Sequence, residues 1–207
     1  MRKLIFAVVP ALMLWGCYPA GPDYVEDLDV VYTTFDDEYN FAGQSTYAMP
    51  DKIVIDVDID NGDTTFVYMK DAFAAPLLAA IDQEMSKYGW QKITPTLSNR
   101  PDVVITPAAI KSTTYFYSYW YDWWYGGWYG GYWGWYYPPY YTVSSYTTGS
   151  IIITMADPNQ AEQNPIGESP SVWIAAANGM VTGSYDVSRA TDAIKKAFAQ
   201  SPYLKTN

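Results

Sequence analysis

"GSIIITMAD", residues 149–157, is the stretch on which the fold turns. It carries no charge before Asp157, and three isoleucines, Ile151, Ile152 and Ile153, stand in its middle. β-branched residues in an unbroken apolar run, bounded by Gly and Asp, predict a central strand buried within a sheet. "DVVIT" (102–106) and "SVWIAAA" (171–177) are apolar in the same way and predict two further central strands.

Working outward, "DLDVVYTTF" (27–35) is β-rich and predicts the first strand. "KIVIDVDID" (52–60) alternates, with Ile53, Ile55, Val57 and Ile59 on one face and Asp56, Asp58 and Asp60 on the other. "NGD" (61–63) then turns the chain. Helical spacing takes over in 71–88, where Leu78, Ile81, Met85 and Tyr88 form one apolar stripe and Gly89 is a natural stop. Pro76 predicts a regular helix beginning close to it. A second helix is expected over about 188–200, capped by Ser188, with Ile194, Ala197 and Phe198 inward and Pro202 after its end. The expected fold is α+β, a mixed α/β domain: a mostly antiparallel sheet with two helices packed on it. Leu78, Ile81 and Met85 are expected to be buried against the sheet that contains Ile55, Val57, Val104, Ile152 and Ile153.

Between two of the central strands lies "YFYSYWYDWWYGGWYGGYWGWYYPPYY" (115–141), in which 18 of 27 residues are aromatic and Asp122 alone is charged. Tyr or Trp occupies every odd position from 115 to 125, the period of a strand with one aromatic face. Five glycines between 126 and 134 permit reversals, and Pro138 and Pro139 interrupt pairing on the return. The expectation is a long, hairpin-like aromatic insertion. Aromatic side chains bury about 150–250 Å² each, so 18 rings carry on the order of 3,000 Å². One small domain has little room for that, though ring-on-ring contact can hide a share; the tract is read as an interaction surface, with packing inside the fold as the alternative. The residues expected to form that surface are Tyr119, Trp120, Tyr121, Trp123, Trp124, Tyr125, Trp128, Tyr129, Trp133 and Trp135.

The N-terminus sets the compartment. "MRKLIFAVVPALMLWGC" has a basic start, an apolar run from Leu4 to Leu14, then Gly16 and Cys17. These are the parts of a secretory signal, and the run is too short to span a bilayer. Cys17 is the sole cysteine, so no disulfide can form within the chain. "LWGC" (14–17) resembles the lipobox of bacterial lipoproteins, in which the cysteine is acylated and becomes the mature N-terminus; Trp15 departs from the small residue usual there. The expected organisation is a signal peptide at 1–16, an acidic tether at 17–26 and a single domain at 27–207. Loss of Arg2 and Lys3 with the signal takes the net charge from −10 to −12. So acidic a chain is repelled by phosphate backbones, and the tract has no Lys or Arg to offset this, so nucleic acid is excluded as a partner.

Zero histidines exclude Ser-His-Asp and Cys-His nucleophile systems, and one acylated cysteine leaves no zinc site. "DVDIDNGD" (56–63) fails as an EF-hand, because Asn61 and Val67 stand where Gly and Glu are required. "GGWYGG" (126–131) lacks the Lys-Ser/Thr and helix of a phosphate loop. Asp63, Thr64 and Thr65 resemble an O-glycosylation triplet of some Bacteroidetes proteins and read equally well as residues following a turn.

The order of "YGW" (88–90), "PDVVI" (101–105), the aromatic insert, "GSIIITMAD" (149–157), "VW" (172–173) and a helix before "SP" (201–202) resembles the lipoprotein family catalogued as domain of unknown function 4136. The resemblance covers about 25–204. That family typically has a basic residue and a glycine after the Trp; Ile174 and Ala175 stand there instead. The resemblance implies an α/β domain on an outer-membrane lipid anchor, and no activity. The expected protein is a non-enzymatic envelope lipoprotein without cofactor or metal. Its acyl chains hold it to the outer membrane, on the periplasmic face because "YPAGPD" rather than an acidic run follows Cys17. Its aromatic tract meets membrane, glycan or a partner envelope protein. The alternatives are a glycan- or peptidoglycan-binding module and, third, a carboxylate-dependent glycoside hydrolase.

Overall fold

The computed structural model describes residues 30–60, 63–96, 99–110, 149–159, 171–178 and 186–206; for 57–60, 63, 64 and 110 it describes the backbone alone. The expected α+β architecture is present: a mixed, mostly antiparallel eight-stranded sheet with two helices packed on it. The strands are β1 (Val31–Phe35), β2 (Thr46–Ala48), β3 (Val54–Asp60), β4 (Asp63–Tyr68), β5 (Gln91–Lys92), β6 (Val103–Ile110), β7 (Ser150–Ala156) and β8 (Ser171–Ala177). Among the described residues, the helices packed on the sheet are α1 (Asp71–Lys87) and α2 (Val187–Ala199).

The three apolar runs are the central strands, in the order β8, β7, β6. Every residue of β7 is buried. β1 closes one side, antiparallel to β8. On the other side β2 pairs parallel to β6 at Tyr47↔Val103, and β3 takes the next stretch of the same edge at Val54↔Ala108. β4 folds back antiparallel on β3, and β5 pairs parallel to β2.

Both helices lie on one face. Leu78, Ile81 and Met85 join Ala190, Ile194, Ala197 and Phe198 in one core with Val103, Ile105, Ile153, Met155 and Trp173. Ile55 packs on this core from its margin, as expected. Val104 and Ile152 do not face the helices. Side chains alternate along a strand, so Val103 and Ile105 point to the helices and Val104 points away, and Ile153 and Ile152 divide likewise. Among the described residues, Ile152 forms a second cluster with Ala176 and Ile174. The Val57 side chain lies outside the described residues.

α1 spans Asp71–Lys87, in keeping with the expected 71–88, but the start expected close to Pro76 does not hold: the helix begins at Asp71, with Lys70 at its N-cap position. Pro76 removes one helical hydrogen bond, but its fixed φ suits the helix, and packing of Leu77, Leu78 and Ile81 offsets the loss. α2 is capped by Asp186 rather than Ser188: the Asp186 carboxylate accepts from the N–H groups of Ser188 and Arg189 at 2.9 and 3.3 Å. Gly89 does end α1, at φ +93°.

The C-terminal segment closes the fold over that glycine. Trp90 Nε1 donates to the Leu204 carbonyl at 2.7 Å, and Thr206 N–H donates to the Tyr88 carbonyl at 2.9 Å. Trp173 Nε1 donates to Ser201 Oγ at 2.9 Å, and the Tyr203 ring stacks on Phe35 at 3.7 Å.

Candidate functional site

The residues singled out for function, Cys17 and the ten aromatic positions from Tyr119 to Trp135, lie outside the described residues. The attachment of the tract is described. β6 and β7 pair antiparallel without a break from Val104↔Ala156 to Ile110↔Ser150. The described strands that flank the segment containing the tract therefore end side by side, at Ile110 and Ser150. Its two ends are neighbours on adjacent central strands.

The opposite end of the same strand pair holds a polar cluster that the sequence reading did not single out. At 3.2–3.4 Å per residue the six steps from Val104 to Ile110 separate the two ends by about 20 Å. Asp102 precedes β6 there, and its Oδ2 accepts from Ser45 N–H (2.9 Å), Ser45 Oγ (3.2 Å), Thr46 N–H (2.8 Å) and Thr46 Oγ1 (2.8 Å). In return Asp102 N–H donates to Thr46 Oγ1 at 3.0 Å. Burial would push the Asp102 carboxyl up, but the hydrogen bonds from Ser45 and Thr46 outweigh it and hold it below the ordinary aspartate value. The bond pattern fastens the start of β2 to the start of β6, which fixes a parallel pairing only two residues long.

Beside it, Tyr39 OH donates to Asp157 Oδ2 at 3.1 Å. Burial raises the Tyr39 phenol far above its ordinary value, and the charge of Asp157 and the hydrogen bond to it add to the shift. A second phenol–carboxylate pair lies on the helix side: Tyr47 OH donates to Asp82 Oδ1 at 2.8 Å, and Lys92 Nζ reaches Asp82 Oδ2 at 2.9 Å. Burial and Asp82 raise the Tyr47 phenol as well. Both phenols are hydrogen-bond donors at any physiological pH. What these groups do chemically is hold strands and helix in register. Among the described residues, no group of three His, Cys, Asp or Glu side chains is placed to hold a metal ion. The missed signal was the polar residue just before a strand, Asp102 ahead of β6 and Ser45 ahead of β2, whose partners only the fold brings together.

Comparison with known proteins locates the chain. Residues 31–203 match the family described as domain of unknown function DUF4136. The crystal structure of a DUF4136 family protein from Bacteroides thetaiotaomicron is 34% identical, with 86% of this chain and 97% of that chain covered and a TM-score of 0.60. A PelC dodecamer from Paraburkholderia phytofirmans is 15% identical, covering 84% of this chain and 97% of that one, with a TM-score of 0.40. A PDZ domain protein from Parabacteroides distasonis is 16% identical over 84% of this chain and 36% of that one, with a TM-score of 0.43. The last two are too distant to inform function. No curated protein matches. With the family match running from β1 to the last turn of the chain, and the 34% identical structure beside it, this chain belongs to the DUF4136 family.

Proposed function

We propose that the protein is a lipid-anchored envelope protein that acts by contact rather than catalysis, through the aromatic tract at 115–141. The observation that carries this reading is the composition of the tract, 18 aromatic residues in 27, set between two adjacent central strands whose pairing reaches Ile110↔Ser150. An insertion with neighbouring ends can be long without disturbing the sheet that bears it. Flat rings with polar tips suit the bilayer interface, the faces of sugars, or the aromatic surface of another protein. Cys17, behind a signal-like N-terminus, supplies the anchor in this reading, and more than one acyl chain is needed to hold a protein stably at a membrane. The outer membrane is the proposed site, with the domain on its periplasmic face.

Two measurements test the proposal. Mass spectrometry of the native protein is expected to show Cys17 acylated at the mature N-terminus; an unmodified Cys17 overturns the anchor. Binding of the full-length protein, and of a form with residues 118–138 replaced by Asn-Gly, is then compared on liposomes, peptidoglycan and polysaccharide arrays. Loss of liposome or glycan binding in the shortened form supports the tract as the contact surface and identifies its ligand. Equal binding by both forms removes the tract from the function.

A further inference from the structure

We propose that the outer edge of β1 is a strand-addition site for an extended segment of another protein, apolar in its centre and basic on both flanks. β1 is the end strand of the sheet, and among the described residues its only strand neighbour is β8. The hydrogen bonds Asn178 N–H to Val30 carbonyl (3.1 Å) and Asp36 N–H to Val172 carbonyl (3.0 Å) fix which groups point inward. In an antiparallel ladder the inward groups belong to alternate residues, here Val30, Tyr32, Thr34 and Asp36. The N–H and C=O groups of Val31, Thr33 and Phe35 therefore point to the outer edge, where among the described residues no strand pairs with them, as a template for one more strand.

Natural sheet edges are protected by charge, proline, a bulge or brevity. "VYTTF" (31–35) has no charge and no proline, and its register with β8 runs unbroken from Val31↔Ala177 to Phe35↔Trp173. The far end of the sheet differs: β5 is two residues long and carries Lys92, which is paired with Asp82. Exposed apolar side chains also gather on β1. Of the four large hydrophobic side chains exposed among the described residues, Val30 (57%), Tyr32 (51%) and Phe35 (43%) lie on this strand or next to it. An added strand would complete the ladder and set its own side chains beside Val30 and Tyr32 on one face of the sheet and Phe35 on the other.

Charge selects the occupant. From Tyr18 to Asp51 there is no Lys or Arg, and seven acidic residues fall between Asp23 and Glu38 on the two sides of the strand. Asp37 and Glu38, directly after β1, are exposed. A second copy adding antiparallel about Thr33 would set each acidic flank against the other copy's, which opposes self-pairing. A strand with Lys or Arg on both flanks meets opposite charge at each end, and this pairing supplies specificity and register.

The test uses the full-length protein in detergent and two labelled peptides, Lys-Lys-Val-Thr-Val-Thr-Val-Lys-Lys and the same core flanked by Glu-Glu. Fluorescence anisotropy is expected to give binding about tenfold tighter for the basic peptide. Thr33→Pro removes an outward N–H and none of the bonds to β8, so it is expected to keep its melting temperature and lose the binding. Hydrogen exchange on the unaltered protein reads the same contact without any variant: the Val31, Thr33 and Phe35 amides are expected to gain protection with the basic peptide. No protection, equal binding of both peptides, or full binding by a folded Thr33→Pro variant overturns the proposal. So does concentration-dependent dimerisation that Thr33→Pro abolishes, since the occupant would then be a second copy.

Discussion

Gly89 shows how one position can be settled twice over. Its φ of +93° lies where a Cβ is strained, and a Cβ built there would stand 2.3 Å from Thr206 Oγ1. Thr206 is not free to yield, because its N–H and hydroxyl both donate to the Tyr88 carbonyl. Gly89→Ala is expected to cost about 1–3 kcal/mol, seen as a lower denaturation midpoint at unchanged slope. Removing the hydroxyl as well, in Gly89→Ala with Thr206→Ala, relieves the collision but not the backbone strain. The double variant is therefore expected to remain below wild type. The sequence names Gly89 as a helix stop but is silent on Thr206, 117 positions later (206 − 89), because that contact exists only once the C-terminal turn has docked.

Asp102 is the other residue whose role lies in distant partners. Its carboxyl is held below the ordinary aspartate value in the fold. A group depressed on folding contributes stability above its unfolded pKa and loses it as pH falls through the folded value. Asp102→Asn is therefore expected to be less stable than wild type at pH 7, by about 1–2 kcal/mol for weakened charge-assisted bonds at a part-exposed site. The gap between the two is expected to close as pH is lowered through about 4 and below. Paired urea titrations at pH 7 and pH 3 measure it. An equal gap at both pH values would mean that the carboxylate charge has no part in fastening β2 to β6.

At the scale of elements, α2 rests on a cap and a stripe. The buried stripe of Ala190, Ala193, Ile194, Ala197 and Phe198 was legible from spacing alone. The cap was misplaced by two residues, because Asp and Ser are both good caps and "DVS" (186–188) contains both. In the fold Asp186 takes the two N–H groups, and Ser188 Oγ donates to the same carboxylate at 2.7 Å. Asp186→Ala is expected to lower the melting temperature more than Ser188→Ala; the reverse order would return the cap to Ser188. The strands divide in the same way. β6, β7 and β8 were legible because buried strands read as unbroken apolar runs, and for that very reason their two faces were not. Val103 faces the helices and Val104 points away from them, and the run offers no polar residue to mark which face is which. β2 and β5, three and two residues long, leave no periodic trace. β4, "DTTFVY", begins with polar residues: Asp63 was placed in the turn and Thr64 and Thr65 after it, and the return strand of the hairpin was not read.

For the whole molecule, the decisive question is whether the domain needs its aromatic tract in order to fold. The β6–β7 ladder runs unbroken through Ile110↔Ser150, so the strands that carry the tract are paired with each other before the tract begins. Replacing 118–138 by Asn-Gly shortens the connection, and the loop-closure gain is about 0.6 kcal/mol for each halving of length. Losing aromatic side chains from a packed core costs far more, about 3–5 kcal/mol for each ring truncated. A small domain has only about 5–15 kcal/mol to lose, so the two outcomes are well separated. The shortened protein is expected to unfold cooperatively at or slightly above the wild-type midpoint. The face of the sheet turned from the helices supplies the counter-test. Val104 and Ile152 are buried there, at 0% and 1% exposure. If residues 118–138 contributed their cover, the shortened protein would expose a strip of central-strand side chains, bind a hydrophobic dye in its native baseline and melt early. In that case the rings are core before they are contact surface, and the function has to be sought on another face of the molecule.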